Sequence, residues 1–289
     1  MVAELSRRDF LLSALGGGAA LAALSRRLET VEVAYAGSMA SVMSGALRQA
    51  ALQKGWNLRG RAQGATALAS LIVGGSLHPD VFISITASPM QRVRQAGRAD
   101  GALPFAATEM TLAYAPQGRW AHRLQHEPWW EVLQQPGFRF GRSDPRTDPQ
   151  GRNIIYTCLL AEAYYHQPGV AHRVLGAWIN PAQIFAESML EARVQSGELD
   201  ATAAYRFQPA AYGLAALPLP ATINLKSLPP SAAPLRLTFG PESYHPEPLI
   251  FYAAALREAP HPAAARAFVA WLGTPEAQSI LREAGYGGV

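Results

Sequence analysis

Cysteine is almost missing from this 289-residue chain: Cys158 stands alone, so no disulfide can form within one molecule. It has no Cys or His neighbours at metal-ligand spacing, and its place in an apolar, helix-like run marks it as a buried thiol. Charge is scarce as well. Only 16% of residues are Asp, Glu, Lys or Arg against 49% hydrophobic, which argues against disorder and supplies a sizeable core. The basic groups, nearly all arginine, are scattered. No basic run interleaved with aromatics is there to track a phosphate backbone, which argues against nucleic acid as a partner. Enzyme signatures are lacking too: there is no Gly-x-Ser-x-Gly elbow and no Walker-type loop. His78, His122, His126, His166, His172, His245 and His261 are dispersed, mostly beside prolines or on polar faces.

Long hydrophobic runs are confined to the start. Ser6-Arg7-Arg8-Asp9-Phe10-Leu11-Leu12 leads into an apolar stretch from Leu11 to Leu24 that contains Gly16-Gly17-Gly18. Paired arginines before a short, weakly hydrophobic segment are the address read by the twin-arginine export system. About 14 apolar residues fall short of the roughly 20 that a membrane span needs. Residues 1–28 are therefore expected to be an export signal, either cleaved at Ala20-Leu21-Ala22 or kept as an N-terminal anchor. The working part is expected outside the cytoplasmic membrane, periplasmic or extracytoplasmic.

Past this leader the pattern alternates. Val31 to Ala36 reads as a strand and Met39 to Lys54 as a helix. Trp56 to Ala62 reads as a strand, and Gly64-Ala65-Thr66 opens a helix through Val73. Asp80 to Ser84 is a buried strand before a helix near Ser88. Strand–turn–helix units at this spacing predict an α/β fold with mostly parallel sheets flanked by helices. The middle reads as a second unit: strands at Met110 to Ala115, Phe138 to Gly141 and Leu199 to Tyr205, and helices at Arg152 to His166 and Glu187 to Ser196. Pro218 to Pro248 is proline-rich and irregular, with one strand at Leu235 to Phe239. A return strand, Leu249 to Leu256, precedes helices at Pro262 to Leu272 and Pro275 to Ala284. Length favours two linked lobes, divided as 29–109 plus 248–289 and 110–247.

Three turns share one form, in which a strand ends, a hydroxyl follows and a helix begins: Gly37-Ser38, Gly64-Ala65-Thr66 and Ser84-Ile85-Thr86. In a parallel sheet they fall on one edge, where ligands bind. Each helix start offers unpaired N–H donors and the positive end of a dipole, and a hydroxyl adds another donor. Serine and threonine are also the commonest helix caps, so one match carries little. Three on one edge describe a cage of neutral donors for a compact oxyanion.

Ala36-Gly37-Ser38, Asp80-Val81-Phe82-Ile83-Ser84, Asp148-Pro149-Gln150-Gly151 and Ser196-Gly197-Glu198-Leu199-Asp200 resemble, in order and spacing, the molybdate/tungstate-binding proteins of ABC importers. Thr274-Pro275-Glu276-Ala277-Gln278-Ser279-Ile280-Leu281 resembles the terminal helix of solute-binding proteins generally. The resemblance implies the two-lobed fold of periplasmic binding proteins and a tetrahedral oxyanion, molybdate or tungstate, as bound ligand. It implies an ABC permease as partner, no cofactor, and a receptor that is not an enzyme and works as a monomer. Ser38 with Ala65 and Thr66 would bind from the first lobe. The Asp148–Gly151 turn with Gln150, the segment at Glu187-Ser188 with Ser188, and Tyr205 would close from the second. Ser84 matches a motif position at the cleft and either touches the ligand or shapes the turn. Asp148 matches one of two carboxylates that ligate molybdenum or tungsten in the tungstate-type branch. The other is a Glu before a Tyr-Arg pair, where this chain has Ala204 before Tyr205-Arg206, and Ala65 replaces a frequent serine. Six-fold coordination is thereby put in doubt.

Asp148 has other readings. It either pairs with Arg152 or Arg206, accepts a proton from a ligand such as hydrogen phosphate, or caps the helix that follows. The alternatives in cargo are phosphate, sulfate, a sulfonate, or ferric ion held by Tyr164-Tyr165. The alternatives in class are a secreted α/β enzyme and a non-transport sensor.

Overall fold

The computed structural model describes residues 28–289, so the expected leader lies outside the described residues. The first strand, β1 (Glu29–Ala36), ends in a 3-10 turn at Gly37–Met39 and is followed by helices α1 (Ala40–Ser44) and α2 (Ala46–Gln53). One helix was predicted there. Gly45, at φ −102° and ψ −111°, leaves the helical region and splits it in two. Next come β2 (Trp56–Gln63), α3 (Ala65–Val73), β3 (Val81–Ile85), α4 (Ala87–Gln95) and β4 (Leu103–Ala107). The chain then passes through Thr108-Glu109 into β5 (Met110–Tyr114), α5 (Ala121–His126), α6 (Trp129–Leu133), β6 (Phe140–Gly141) and α7 (Pro149–Tyr164). After α8 (Val170–Leu175), α9 (Leu190–Gln195), β7 (Ala201–Tyr205) and β8 (Ala215–Pro218), a small hairpin forms from β9 (Leu237–Phe239) and β10 (Glu242–Tyr244). The return is β11 (Ile250–Ala255), α10 (Pro262–Leu272) and α11 (Pro275–Glu283).

Two sheets result, with strand orders β2-β1-β3-β11-β4 and β6-β7-β5-β8. In the first, β1 runs parallel to β2 and β3, and β11 opposes both β3 and β4. Successive residues of one strand serve opposite faces. Val33 and Ile83 pack with Leu47, Phe268 and Trp271, whereas Ala34 and Phe82 pack with Leu68, Met90 and Val93. A sheet buried on both faces needs near-continuous apolar strands, which is why β3 was legible as a buried strand. Cutting the fully buried Phe82 to alanine would cost about 3–5 kcal/mol.

The expectation of mostly parallel sheets needs correction in the second. Only β6–β7 is parallel there, while β5 opposes β7 and β8 opposes β5. The physical reason lies in the crossovers. After β4 the chain steps straight into the other sheet, so β5 enters from the side at which β7 ends. The same holds for β11 on the way back. At this crossing Thr108 N donates to Leu249 O at 2.9 Å. Cys158 is fully buried in α7, and burial pushes its thiol up to about 12.

Candidate functional site

From the first sheet, the Gly37–Met39 turn and the start of α3 lie at the carboxyl ends of neighbouring strands, β1 and β2. Ser38 is 4% exposed and its Oγ has no hydrogen-bond partner. A buried hydroxyl left unpaired costs free energy. At α3, Ala65 and Thr66 are buried, and Ala67 N donates to Thr147 O at 3.2 Å, a carbonyl that precedes α7 of the second sheet.

From the second sheet, Asp148 caps α7: its Oδ1 accepts from Gln150 N at 2.9 Å, and Pro149 occupies the first helical position. Glu187, in the 3-10 turn Glu187–Met189, is 5% exposed and its Oε1 has no partner. The Asp148 and Glu187 carboxyls lie close enough for each to shift the other's titration. Burial raises Asp148 above the ordinary carboxylate range, against the downward pull of the Gln150 N–H and the Arg152 charge. Burial raises Glu187 further, the Asp148 and Glu191 charges add to it, and the Ser38 N–H opposes it. Two carboxyls this close cannot both ionise freely. Tyr205 ends β7 fully buried, and Asn153 Nδ2 donates to its hydroxyl at 3.1 Å. Burial, then the Glu187 and Asp148 charges, hold that phenol well above its usual value.

Two glycines let these halves meet. A Cβ on Gly37 would lie 2.8 Å from Glu187 Oε2, and one on Gly64 would lie 2.7 Å from Thr147 O and 2.9 Å from Asp148 Oδ2. At Gly64 the clash is with backbone and would hold the sheets apart, whereas at Gly37 it is with the far end of the Glu187 side chain, which would have to turn aside. Arg152 adds a direct tie: Nη2 donates to Thr66 Oγ1 at 2.7 Å and Nη1 to Pro145 O at 2.7 Å, with the guanidinium 4.0 Å from the Tyr244 ring centre. Grooves of about 630 and 400 Å³ flank this junction, and Gly37 and Ser188 line both. In the larger groove Glu191 is 2% exposed with Oε1 unpartnered, and burial lifts its pKa to about 7.

Ser38 lines the larger groove and Asp148 the smaller, while Thr66, held by Arg152, and Tyr205, close enough to feel the Asp148 and Glu187 charges, lie buried behind them, and Ala65 is buried beside Thr66. Ser84 is not on either groove: it is fully buried on β3 and donates to Thr86 O at 3.2 Å, which braces a turn where Thr86 takes φ +64°. The Gln150 side chain is used internally, its Oε1 accepting from Ser143 N and its Nε2 donating to Ala203 O. Ser188 is exposed at the groove mouth, and its neighbour Glu187 turns inward in its place. Ala204 is fully buried among Ala113, Leu190, Val194 and Leu199, an apolar cluster apart from the junction. Arg206 pairs with Glu109 at 3.0 Å, so the cation beside Asp148 is Arg152. Glu187 was named only as part of a segment. A lone acid at a helix start reads as dipole compensation, and nothing local in the sequence tells that from an inward carboxyl.

Among the described residues no cluster of three or more His, Cys, Asp or Glu is placed to hold a metal ion, and no helix is long and apolar enough to cross a membrane. The fold is shared with the periplasmic molybdate-binding protein of Azotobacter vinelandii, at a TM-score of 0.62 and 17% identity over 89% of this chain and 98% of that one. It is shared too with the sulfate-binding protein SubI of Mycobacterium tuberculosis, at 0.61 and 14% over 90% and 87%. In sequence, an uncharacterized solute-binding protein of Halobacterium salinarum is 29% identical over 98% of this chain and 92% of its own. The molybdate/tungstate-binding protein WtpA of Pyrococcus abyssi is 26% identical over 62% of this chain and 59% of its own length. The pattern of the bacterial extracellular solute-binding proteins runs from residue 31 to residue 287, and with two α/β lobes meeting at a polar cleft, this chain belongs to that family.

Proposed function

We propose that the protein captures a small tetrahedral oxyanion, molybdate or tungstate, outside the cytoplasmic membrane and delivers it to an ABC importer. The observation that carries this reading is the buried, unpartnered Ser38 hydroxyl on the first-sheet edge, facing groups supplied by the second sheet. Neutral donors from the Ser38 turn and the start of α3 replace part of the anion's water shell. Asp148 and Tyr205 reach it from the other side, Asp148 as a ligand to the metal centre. Residues 29–109 with 248–289 form one lobe and 110–247 the other. Only the closed arrangement makes both sets of contacts, so ligand stabilises it, and this form docks on the permease. Residues 1–28 export the chain by the twin-arginine route, and it acts as a monomeric receptor without cofactor or turnover. The similarity to molybdate- and tungstate-binding proteins supports the choice of cargo.

Titration with molybdate, tungstate, sulfate and phosphate, read by tryptophan fluorescence, tests this. A saturable response to the first two is expected; none below high micromolar concentration ends the reading. A second reading, hydrogen phosphate, is favoured by one specific observation: Asp148 is buried at the junction with one oxygen capping α7, and its other oxygen would accept a hydrogen bond from a protonated anion. Tighter binding of phosphate than of tungstate selects it.

A further inference from the structure

The larger groove is out of scale with a bare oxyanion. Its volume of about 630 Å³ lies in the range of about 300–1,000 Å³ that organic ligands occupy. Ser38, buried and with its Oγ unpartnered, is part of its wall, so this space opens directly beside the turn that would meet the anion. Away from that turn the lining changes character. The rings of Phe207 and Tyr286 stack with centres 3.9 Å apart, and both line the groove together with the half-buried Tyr212. Apolar walls offer a hydrated inorganic ion nothing and favour carbon. Two polar groups interrupt them. Gln208 spends its Oε1 on Tyr205 N at 2.6 Å, and its Nε2 has no partner among the described residues. Glu191 is buried, and its Oε1 is likewise unpartnered. A carboxyl on this wall has no use for a bare anion, but it accepts from a hydroxyl.

We propose that this groove binds the organic part of a phosphate monoester, with the tetrahedral head at the Ser38 turn and the substituent along Phe207, Tyr212 and Tyr286. The inference rests on the oxyanion reading above and adds a class of guest to the same head site. A monoester keeps its terminal oxygens for the neutral donors, and its bridging oxygen carries the substituent away from them. Near neutral pH it also keeps most of the double charge of the inorganic guests, which a sulfonate or a sulfate ester does not. Hydroxyls on the substituent give a hydrogen to Glu191 Oε1 and accept one from Gln208 Nε2. The rings cover its carbon atoms. An apolar wall with a few convergent polar groups is how sites for organic molecules are built.

The test is a calorimetric titration of the purified full chain with inorganic phosphate, tungstate, phenyl phosphate and β-glycerophosphate, with phenol and glycerol as controls that lack the head. At least one ester should bind more tightly than inorganic phosphate by about ten-fold or more, and neither control should bind. Ala211→Trp, at an exposed position on the groove wall, takes up the space. It should remove the advantage of the ester and leave the affinity for inorganic anions within about two-fold. If that variant does not fold, Ala46→Trp, exposed on the same groove at the start of α2, replaces it with the same expectation. Esters that bind no more tightly than inorganic phosphate overturn the proposal. So does a control that binds as well as its ester, or an ester preference that survives in the folded variant. Each of these leaves the oxyanion reading standing as long as tungstate or phosphate binds. A chain that binds none of the anions takes that reading down as well.

Discussion

Arg152 and Thr66 bind each other across the cleft: the guanidinium Nη2 donates to the threonine Oγ1 at 2.7 Å, both groups being buried. The bond ties α7, which begins beside the second sheet, to α3, which begins at the edge of the first. It also orients the hydroxyl. An oxygen that accepts from Arg152 still has its own hydrogen to give, and that hydrogen is free to serve a guest. Thr66→Val removes both functions with little change in volume. Oxyanion affinity should fall about ten-fold or more, since a charge-assisted hydrogen bond is lost. Scattering from the ligand-loaded variant should show a larger radius of gyration than the wild type; an unchanged radius and affinity would count against this role.

Gly64 tests closure separately from chemistry. A Cβ there meets a backbone carbonyl, Thr147 O, at 2.7 Å, and neither partner has a flexible end that can yield. Gly64 itself sits at φ −53°, so alanine is tolerated locally. Gly64→Ala should keep the thermal midpoint of the ligand-free protein within a few degrees. The stabilisation that ligand normally adds should be lost, because binding stabilises only in proportion to affinity. Differential scanning fluorimetry with and without tungstate reads both quantities.

Ser38→Ala removes a buried donor that has no other partner. The free protein should be no less stable, since an unsatisfied hydroxyl is exchanged for a methyl group. Affinity should drop about ten-fold or more, because the anion is left one donor short. Calorimetry on the variant checks both signs at once.

Glu191 makes stability depend on pH. Burial lifts its pKa from the usual 4.5 to about 7 in the folded protein. A pKa raised on folding gives a contribution that is full below the unfolded value and lost as pH rises through the folded one. Between about pH 4.5 and 7 the protein should lose up to roughly 3 kcal/mol on this account. Asp148 and Glu187, also raised, act in the same direction. Denaturant melts of wild type and Glu191→Gln at acid and mildly alkaline pH should converge at the acid end. The variant should be the more stable at the alkaline end.

Much of this could be read along the chain. β3 announced itself because a doubly covered strand demands apolar residues at nearly every position, and β1 by its alternating, β-rich pattern before Gly37. α7 starts at Pro149, ahead of the predicted Arg152, and of the readings left open for Asp148 the helix cap is the one the structure shows. Ser38 and Thr66 were legible because a hydroxyl after a strand and before a helix is a local pattern. Gly45, the opposed strands of the second sheet and the role of Gln150 were not. Each depends on what packs alongside: the crossover for β5, and Ser143 and Ala203 for Gln150.

The amino-acid order alone determined most of the element types, the α/β class and the strand-end turns that carry Ser38 and Thr66. Those follow from short-range periodicity and from the few residues able to start a helix. Which side chains turn into the cleft was decided only by the folded molecule. Ser188 and Glu187 are adjacent in a one-turn segment, yet one faces solvent and the other is buried against Gly37 and Asp148. That choice belongs to contacts between residues distant along the chain, where van der Waals space and burial of charge outweigh any local preference.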